Sequence, residues 1–226
     1  MIKFEKVTKK FVDGTVALKN LNFSVEKGEF VFLTGPSGSG KTTILRLLTR
    51  DLLPTQGKIY FKNEDIGGLK KSKVHTLRRH IGAVYQDFKL LADRTVFENV
   101  ALSLQILGKK EKEIDYKVTS VLDLVGLSGK EKLFPRQLAG GEMQRAALAR
   151  TLVMDPELVF ADEPTGNLDP QTSWQIMDLL KKVNKEGITL VMATHNFDIV
   201  DSLGERVIHL EKGAIVTDEK KGKYKK

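Results

Sequence analysis

Two registers of apolar spacing run along this chain. Ile2, Phe4 and Val7, and then Leu21, Phe23 and Val25, recur at nearly every second position, the period of a strand with one buried face. Phe30-Val31-Phe32-Leu33 is instead a continuous apolar run that stops at Gly35, and residues 158–161 and 188–193 repeat the pattern, as strands buried on both faces do. Residues 207–210 and 214–216, split by Lys212-Gly213, predict a closing hairpin. Between the strands the period lengthens. Helices are expected over 42–49, over 142–153, and over 172–183, where Ile176, Leu179, Leu180 and Val183 share one side and Asp169-Pro170 signals the start. Alternation of buried strands with helices predicts an α/β fold with a mostly parallel central sheet. Residues 95–140 are mostly helical in pattern and interrupt the alternation, so they are expected to form an inserted helical subdomain within a single domain spanning 1–226.

Composition narrows the class. With 226 residues, 41% hydrophobic and 29% charged, the chain has the size and balance of one soluble, well-cored domain. No apolar run approaches the roughly 18 residues that cross a bilayer, and the opening MIKFEKV lacks the apolar core of a signal peptide, so a cytoplasmic protein is expected. The lack of cysteine excludes disulfides, thiolate metal sites and cysteine catalysis. The net charge is +8, from 37 basic and 29 acidic residues. The excess lies in a basic tail, 218–226, with Lys220, Lys221, Lys223, Lys225 and Lys226, and in a cluster of Lys70, Lys71, Lys73, Arg78 and Arg79. Neither is interleaved with several aromatic residues as a strand-stacking surface would be, so no nucleic-acid partner is expected. Solvated faces are the plain reading, and contact of the tail with anionic lipid is the alternative.

Gly35-Pro36-Ser37-Gly38-Ser39-Gly40-Lys41-Thr42 matches the phosphate-binding loop, glycine, four residues, then Gly-Lys-Ser/Thr, and it sits after an apolar strand and before a helix. Glycines allow positive φ and turn backbone N–H groups onto a phosphate, and the helix N-terminus adds a favourable dipole. Lys41 is expected to reach the β- and γ-phosphates and the Thr42 hydroxyl to ligate Mg2+, with Thr43 completing the cradle. Further along, a buried strand ends in Asp162-Glu163. Asp162 is expected to serve the magnesium, directly or through water. Glu163, turned by the bond to Pro164, is the candidate general base for attack by water.

Leu138-Ala139-Gly140-Gly141-Glu142, followed by a helix and then the carboxylate strand, resembles the signature of ATP-binding-cassette (ABC) ATPases. The remaining motifs of that family follow in order: Gln86 is similar to the Q-loop glutamine, Gly166-Asn167-Leu168-Asp169 to the D-loop, His195 to the switch histidine and Phe11 to the aromatic residue that stacks on adenine. The resemblance covers essentially the whole chain. It implies a P-loop NTPase fold with an added antiparallel β subdomain, ATP as substrate, Mg2+ with Gln86 as a further ligand, and catalysis by Glu163, His195 and Gln86. It also implies a homodimer in which Ala139, Gly140 and Gly141 of one copy close over the γ-phosphate held by the other and Asp169 links the two sites.

Tyr85-Gln86-Asp87, Asp93-Arg94-Thr95-Val96 and the run from Ala161 to Asp169 are similar to the bacterial cell-division branch of the family. That branch implies a protein peripheral on the inner face of the cell membrane, docked through the helical subdomain and Q-loop region on an FtsX-like integral membrane protein, and indirect control of an extracytoplasmic peptidoglycan hydrolase. An exporter subunit of the lipoprotein-release or macrolide type is the alternative. The chain departs from the family pattern at Ala139, usually serine, at Glu142, more often glutamine, and at Asn196, often aspartate.

Overall fold

The structure is a computed structural model that describes residues 1–222. Its centre is a six-stranded sheet in the order β10-β9-β3-β8-β7-β6, built from β3 (Phe30–Thr34), β6 (Ile81–Tyr85), β7 (Leu158–Asp162), β8 (Thr189–Ala193), β9 (Arg206–Glu211) and β10 (Ala214–Glu219). All pairs are parallel except the β9–β10 hairpin at one edge. A second sheet, wholly antiparallel, has the order β2-β1-β4-β5, from β1 (Ile2–Lys10), β2 (Val16–Val25), β4 (Gln56–Phe61) and β5 (Glu64–Asp65). The expected α/β architecture is present: a mostly parallel central sheet with an antiparallel β portion and helices.

The continuous apolar strands have a direct cause. Phe30 and Phe32 of β3 face one core with Val159, Ala161, Leu190 and Met192, while Val31 and Leu33 face another with Leu158, Phe160, Val191 and Ala193. The first core is closed by α3 (Val96–Ile106), α4 (Glu111–Leu124), α5 (Gly140–Leu152) and α6 (Pro170–Lys185). The second is closed by α1 (Lys41–Leu48), through Ile44, Leu45 and Leu48, and by Phe4, Phe23 and Ile59 of the antiparallel sheet. Because successive side chains of a strand point to opposite faces, only a run without polar positions can satisfy both cores.

Helices α3 and α4 and a 3₁₀ turn (Pro135–Gln137) occupy the stretch between β6 and α5. Thr95 starts α3 with a reciprocal cap: its hydroxyl accepts from the Glu98 N–H, and Glu98 accepts from the Thr95 N–H. Two helices, α2 (Lys71–His80) and α7 (Phe197–Leu203), and the strands β4 to β6 were not foreseen from spacing. In α2 only Leu77 is buried, so no apolar stripe announces it. The last strand runs through Asp218 and Glu219, and Asp218 pairs with Arg206 at 2.7 Å, so the first two residues assigned to a basic tail belong to the sheet. Of the five tail lysines on which the expected lipid contact rests, Lys220 and Lys221 are exposed, and Lys223, Lys225 and Lys226 lie outside the described residues.

Candidate active site

Strand β3 delivers the chain to Gly35 at φ 139°, where a side chain would lie 2.1 Å from the Leu210 carbonyl oxygen. Gly40, at φ 109°, is equally constrained, since a Cβ there would meet Leu18 Cδ2 at 2.5 Å. Between them the loop closes on the Lys41 ammonium, which donates to the carbonyl oxygens of Gly35 (2.8 Å) and Pro36 (3.2 Å). Lys41 is buried, and burial lowers its pKa against the opposing pull of Glu163 and Asp162. No side chain caps α1, so its first N–H groups are left for a ligand. The loop borders a cleft of about 520 Å3 lined by Ser37, Gly38, Ser39, Gly40, Lys41, Thr42 and Thr43, and across it by Ala17, Gln86, Asp162, Glu163 and His195.

Strand β7 carries both carboxylates into this cleft. Thr42 Oγ1 donates to Asp162 Oδ2 at 2.7 Å, and burial pushes the Asp162 carboxyl above the usual aspartate range. Glu163 adopts φ 50°, a left-handed conformation that costs a non-glycine residue on the order of 1–2 kcal/mol. Its N–H is held by the Ala193 carbonyl at 2.9 Å, so the strain is locked by the neighbouring strand. The turn swings the carboxylate back over the cleft. There Oε2 meets the His195 ring Nδ1 at 2.9 Å and accepts from the His195 N–H at 3.3 Å, while Oε1 lies 4.0 Å from Lys41 Nζ. A carboxylate oriented by a histidine and facing a lysine-bearing anion cradle can take a proton from water beside a phosphoryl group.

The donor set fits a triphosphate and its magnesium. Thr42 and Asp162 supply hard oxygen ligands, with the Gln86 amide at the rim. Among the described residues no group of three or more His, Cys, Asp or Glu could hold a metal by itself. Ser39 Oγ is buried without a hydrogen-bond partner inside the phosphate loop, and the space a Cβ would take at Gly38 is open, so both offer room and polarity to a phosphate.

Other expected site residues stand apart from the cleft. Ala139 precedes α5, and Gly140 and Gly141 open it. A Cβ at Gly141 would fall 2.2 Å from Thr172 Cγ2, so this end of α5 is wedged against the start of α6. Asp169 caps α6, its Oδ1 accepting from the Thr172 N–H at 2.9 Å, and the Thr172 side chain first and its N–H second hold the Asp169 pKa down. None of these four lines the cleft of their own chain. Phe11 does not line it either: its N–H closes a turn on the Thr15 carbonyl, and its ring centroid lies 5.4 Å from Lys9 Nζ. The residue of that segment that reaches the cleft is Ala17 of β2, a small side chain with no signal in the sequence. Gln86 is linked to the D-loop, donating to Asn167 Oδ1 at 3.3 Å while Asn167 Nδ2 donates to the Gln86 carbonyl at 3.2 Å, a pairing that motif reading did not anticipate.

The geometry agrees with what the chain is similar to. Residues 18–166 match the family model described as ABC transporter. Cell division ATP-binding protein FtsE of Bacillus subtilis is 47% identical over 224 residues, covering 99% of this chain and 98% of that protein. FtsE of Mycobacterium tuberculosis is 48% identical over 225 residues, with 99% and 98% covered. Among solved structures, the dimeric post-hydrolysis state of the ATP-binding cassette MJ0796 bound to ADP and Pi superposes with a TM-score of 0.90 at 37% identity, covering 99% of this chain and all of that one. CbiO1 of Clostridium perfringens, part of the ABC transporter complex cbiONQ, gives a TM-score of 0.90 at 32% identity over 97% of this chain and 88% of its own. With its phosphate loop, paired carboxylates and signature all in the family's order, the chain belongs to the ABC transporter family, as one of its ATPases.

Proposed function

We propose that two copies of this chain enclose ATP between them and that the resulting cycle drives an FtsX-like integral membrane protein in bacterial cell division, with control of an extracytoplasmic peptidoglycan hydrolase as its output. The observation that carries the first half is the split of the chemistry: phosphate loop, carboxylates and His195 share one cleft, while Ala139, Gly140, Gly141 and Asp169 of the same chain line none of it. A second copy turned face to face brings the second set to the first. The relatives named FtsE support the division role, and the dimeric relative bound to ADP and Pi supports the assembly.

In the assembled site Lys41 exchanges the Gly35 and Pro36 carbonyls for phosphate oxygens, and the loop amides complete the cradle. Thr42 and Asp162, with Gln86 at the rim, would hold a magnesium ion, which would supply positive charge to the phosphates. Glu163 takes the proton of the attacking water, and His195 keeps the carboxylate aimed through the Nδ1 contact. The α5 amides of the partner copy receive the γ-phosphate, so its loss removes the contact that favours closure. The ATPase rate per copy is expected to rise with protein concentration at saturating ATP. A rate per copy independent of dilution in a monomeric sample overturns the shared site.

Ala139 lacks the hydroxyl that serine would offer to the γ-phosphate. Ala139→Ser is expected to raise turnover about tenfold, the worth of a hydrogen bond to a charged group, and to add roughly 1 kcal/mol of stability as a better N-cap for α5. Steady-state hydrolysis and thermal melting check both; an unchanged rate shows that the hydroxyl is dispensable here.

For the membrane partner, a cleft of about 590 Å3 between α2 and the end of α3 supports docking. Val74, Ile106, Leu107 and Met154 form its apolar lining, and Lys71 and Arg79 supply positive charge. Ile106 is 76% exposed, unusual for an isoleucine. Ile106→Asp is expected to abolish co-purification with the membrane partner, with the melting temperature as folding control. Retained co-purification moves the docking surface elsewhere. No helix among the described residues is long and apolar enough to cross a membrane, and attachment to the inner face through this partner accounts for the peripheral location.

A further inference from the structure

Glu142 is the third residue of α5, and its two carboxylate oxygens have different partners. Oε2 accepts from the Ala139 N–H at 3.0 Å, closing half of a capping box whose other half is missing because alanine has no acceptor. Oε1 is paired with the ammonium of Lys130, twelve residues earlier. The loop that carries Lys130 is itself anchored by backbone bonds: Lys130 N–H to the Leu127 carbonyl (3.1 Å), Leu133 N–H to the Lys130 carbonyl (3.1 Å), and the Val96 and Phe97 N–H groups of α3 to the carbonyls of Leu133 (2.8 Å) and Glu131 (2.9 Å). The Lys130 backbone is therefore delivered to Glu142 by a fixed scaffold. Glu142 is held ionised by this contact first and by the Ala139 N–H second.

The arrangement resolves a conflict built into this sequence. An acid at the third helical position suits the helix dipole and caps a free N–H. The same acid stands one residue beyond the Gly140-Gly141 amides, where its charge opposes an incoming phosphate. We propose that Lys130 is a positioning residue for the signature: by neutralising Glu142 it lets the acid cap Ala139 while the α5 N-terminus stays receptive to the γ-phosphate of the facing copy. The proposal rests on the two-copy site described above. It applies with particular force to this chain, where Ala139 offers no hydroxyl and the amides must do the work alone.

The test is ATP hydrolysis by the full chain carrying Lys130→Ala, Lys130→Arg, Glu142→Gln, or Lys130→Ala with Glu142→Gln. Lys130→Ala is expected to lower kcat/KM about fivefold, the size of one unopposed charge at a helix N-terminus, with the deficit shrinking as salt is raised. Lys130→Arg keeps the parent rate. The double variant returns to the level of Glu142→Gln, because an uncharged residue 142 needs no counter-ion. A double variant as slow as Lys130→Ala, or a Lys130→Ala protein as fast as the parent, overturns the proposal and leaves the two-copy site standing. Gly140→Asp separates the two ideas, since it places a new charge where a Cβ has 3.4 Å of clearance from Leu168. If that variant hydrolyses ATP at the parent rate, the signature does not meet the triphosphate and both ideas fall.

Discussion

Glu163→Gln is expected to lower ATP hydrolysis by about three orders of magnitude, the worth of a positioned general base, while ATP binding persists. Glutamine preserves the shape of the side chain, and its amide oxygen can still accept from the His195 N–H that now lies 3.3 Å from Glu163 Oε2. It cannot take a proton from water at neutral pH. The left-handed φ of 50° is set by the backbone bond to Ala193 and does not depend on the carboxylate. With hydrolysis blocked, the ATP-joined dimer should accumulate, so light scattering with and without ATP provides a second reading. Hydrolysis within tenfold of the parent protein would show that Glu163 is not the base.

Lys41→Ala should be equally severe but should act earlier, on binding. Its ammonium is a buried charge inside the phosphate loop, and it ties down that loop through Gly35 and Pro36. Removing one preorganised donor from a site of this kind costs about 10²–10³-fold, and calorimetric titration with ATP should register a loss of at least that order. Lys41→Arg is not expected to rescue it. A planar guanidinium needs more room than an ammonium, and Lys41 is buried with its Nζ held by the Gly35 and Pro36 carbonyls. Near-normal ATP affinity in Lys41→Ala would displace the nucleotide from the phosphate loop. On the proposed cycle, the first variant is expected to stop chemistry after closure and the second to prevent closure.

Much of this site is written in short segments. Eight consecutive residues contain the phosphate loop because a phosphate is small and a single turn of backbone amides surrounds it. Asp162 and Glu163 are adjacent because a strand end delivers both. Asp169-Pro170 marks the start of α6 through local capping, and the structure bears that out in the bond to Thr172. Buried strands are legible for a similar reason, since each must be apolar on both faces. Elements with little buried surface, such as α2 with Leu77 alone, leave no such trace.

Contacts across the fold are another matter. Glu163 meets His195 because β7 and β8 are neighbours in the sheet, and no spacing rule announces a pairing 32 residues apart. Gln86 reaches Asn167, Lys130 reaches Glu142, and Ala17 rather than Phe11 enters the cleft through the way separate elements pack. Local chemistry, the order of motifs and the alternation of strand and helix are properties of neighbouring residues, and the chain alone settles them. Which charges neutralise one another, and which of the motif residues line the cleft, are decided only when sheet order and helix packing bring distant residues within hydrogen-bonding reach, because electrostatic and hydrogen-bond energies depend on distance in space and not along the chain.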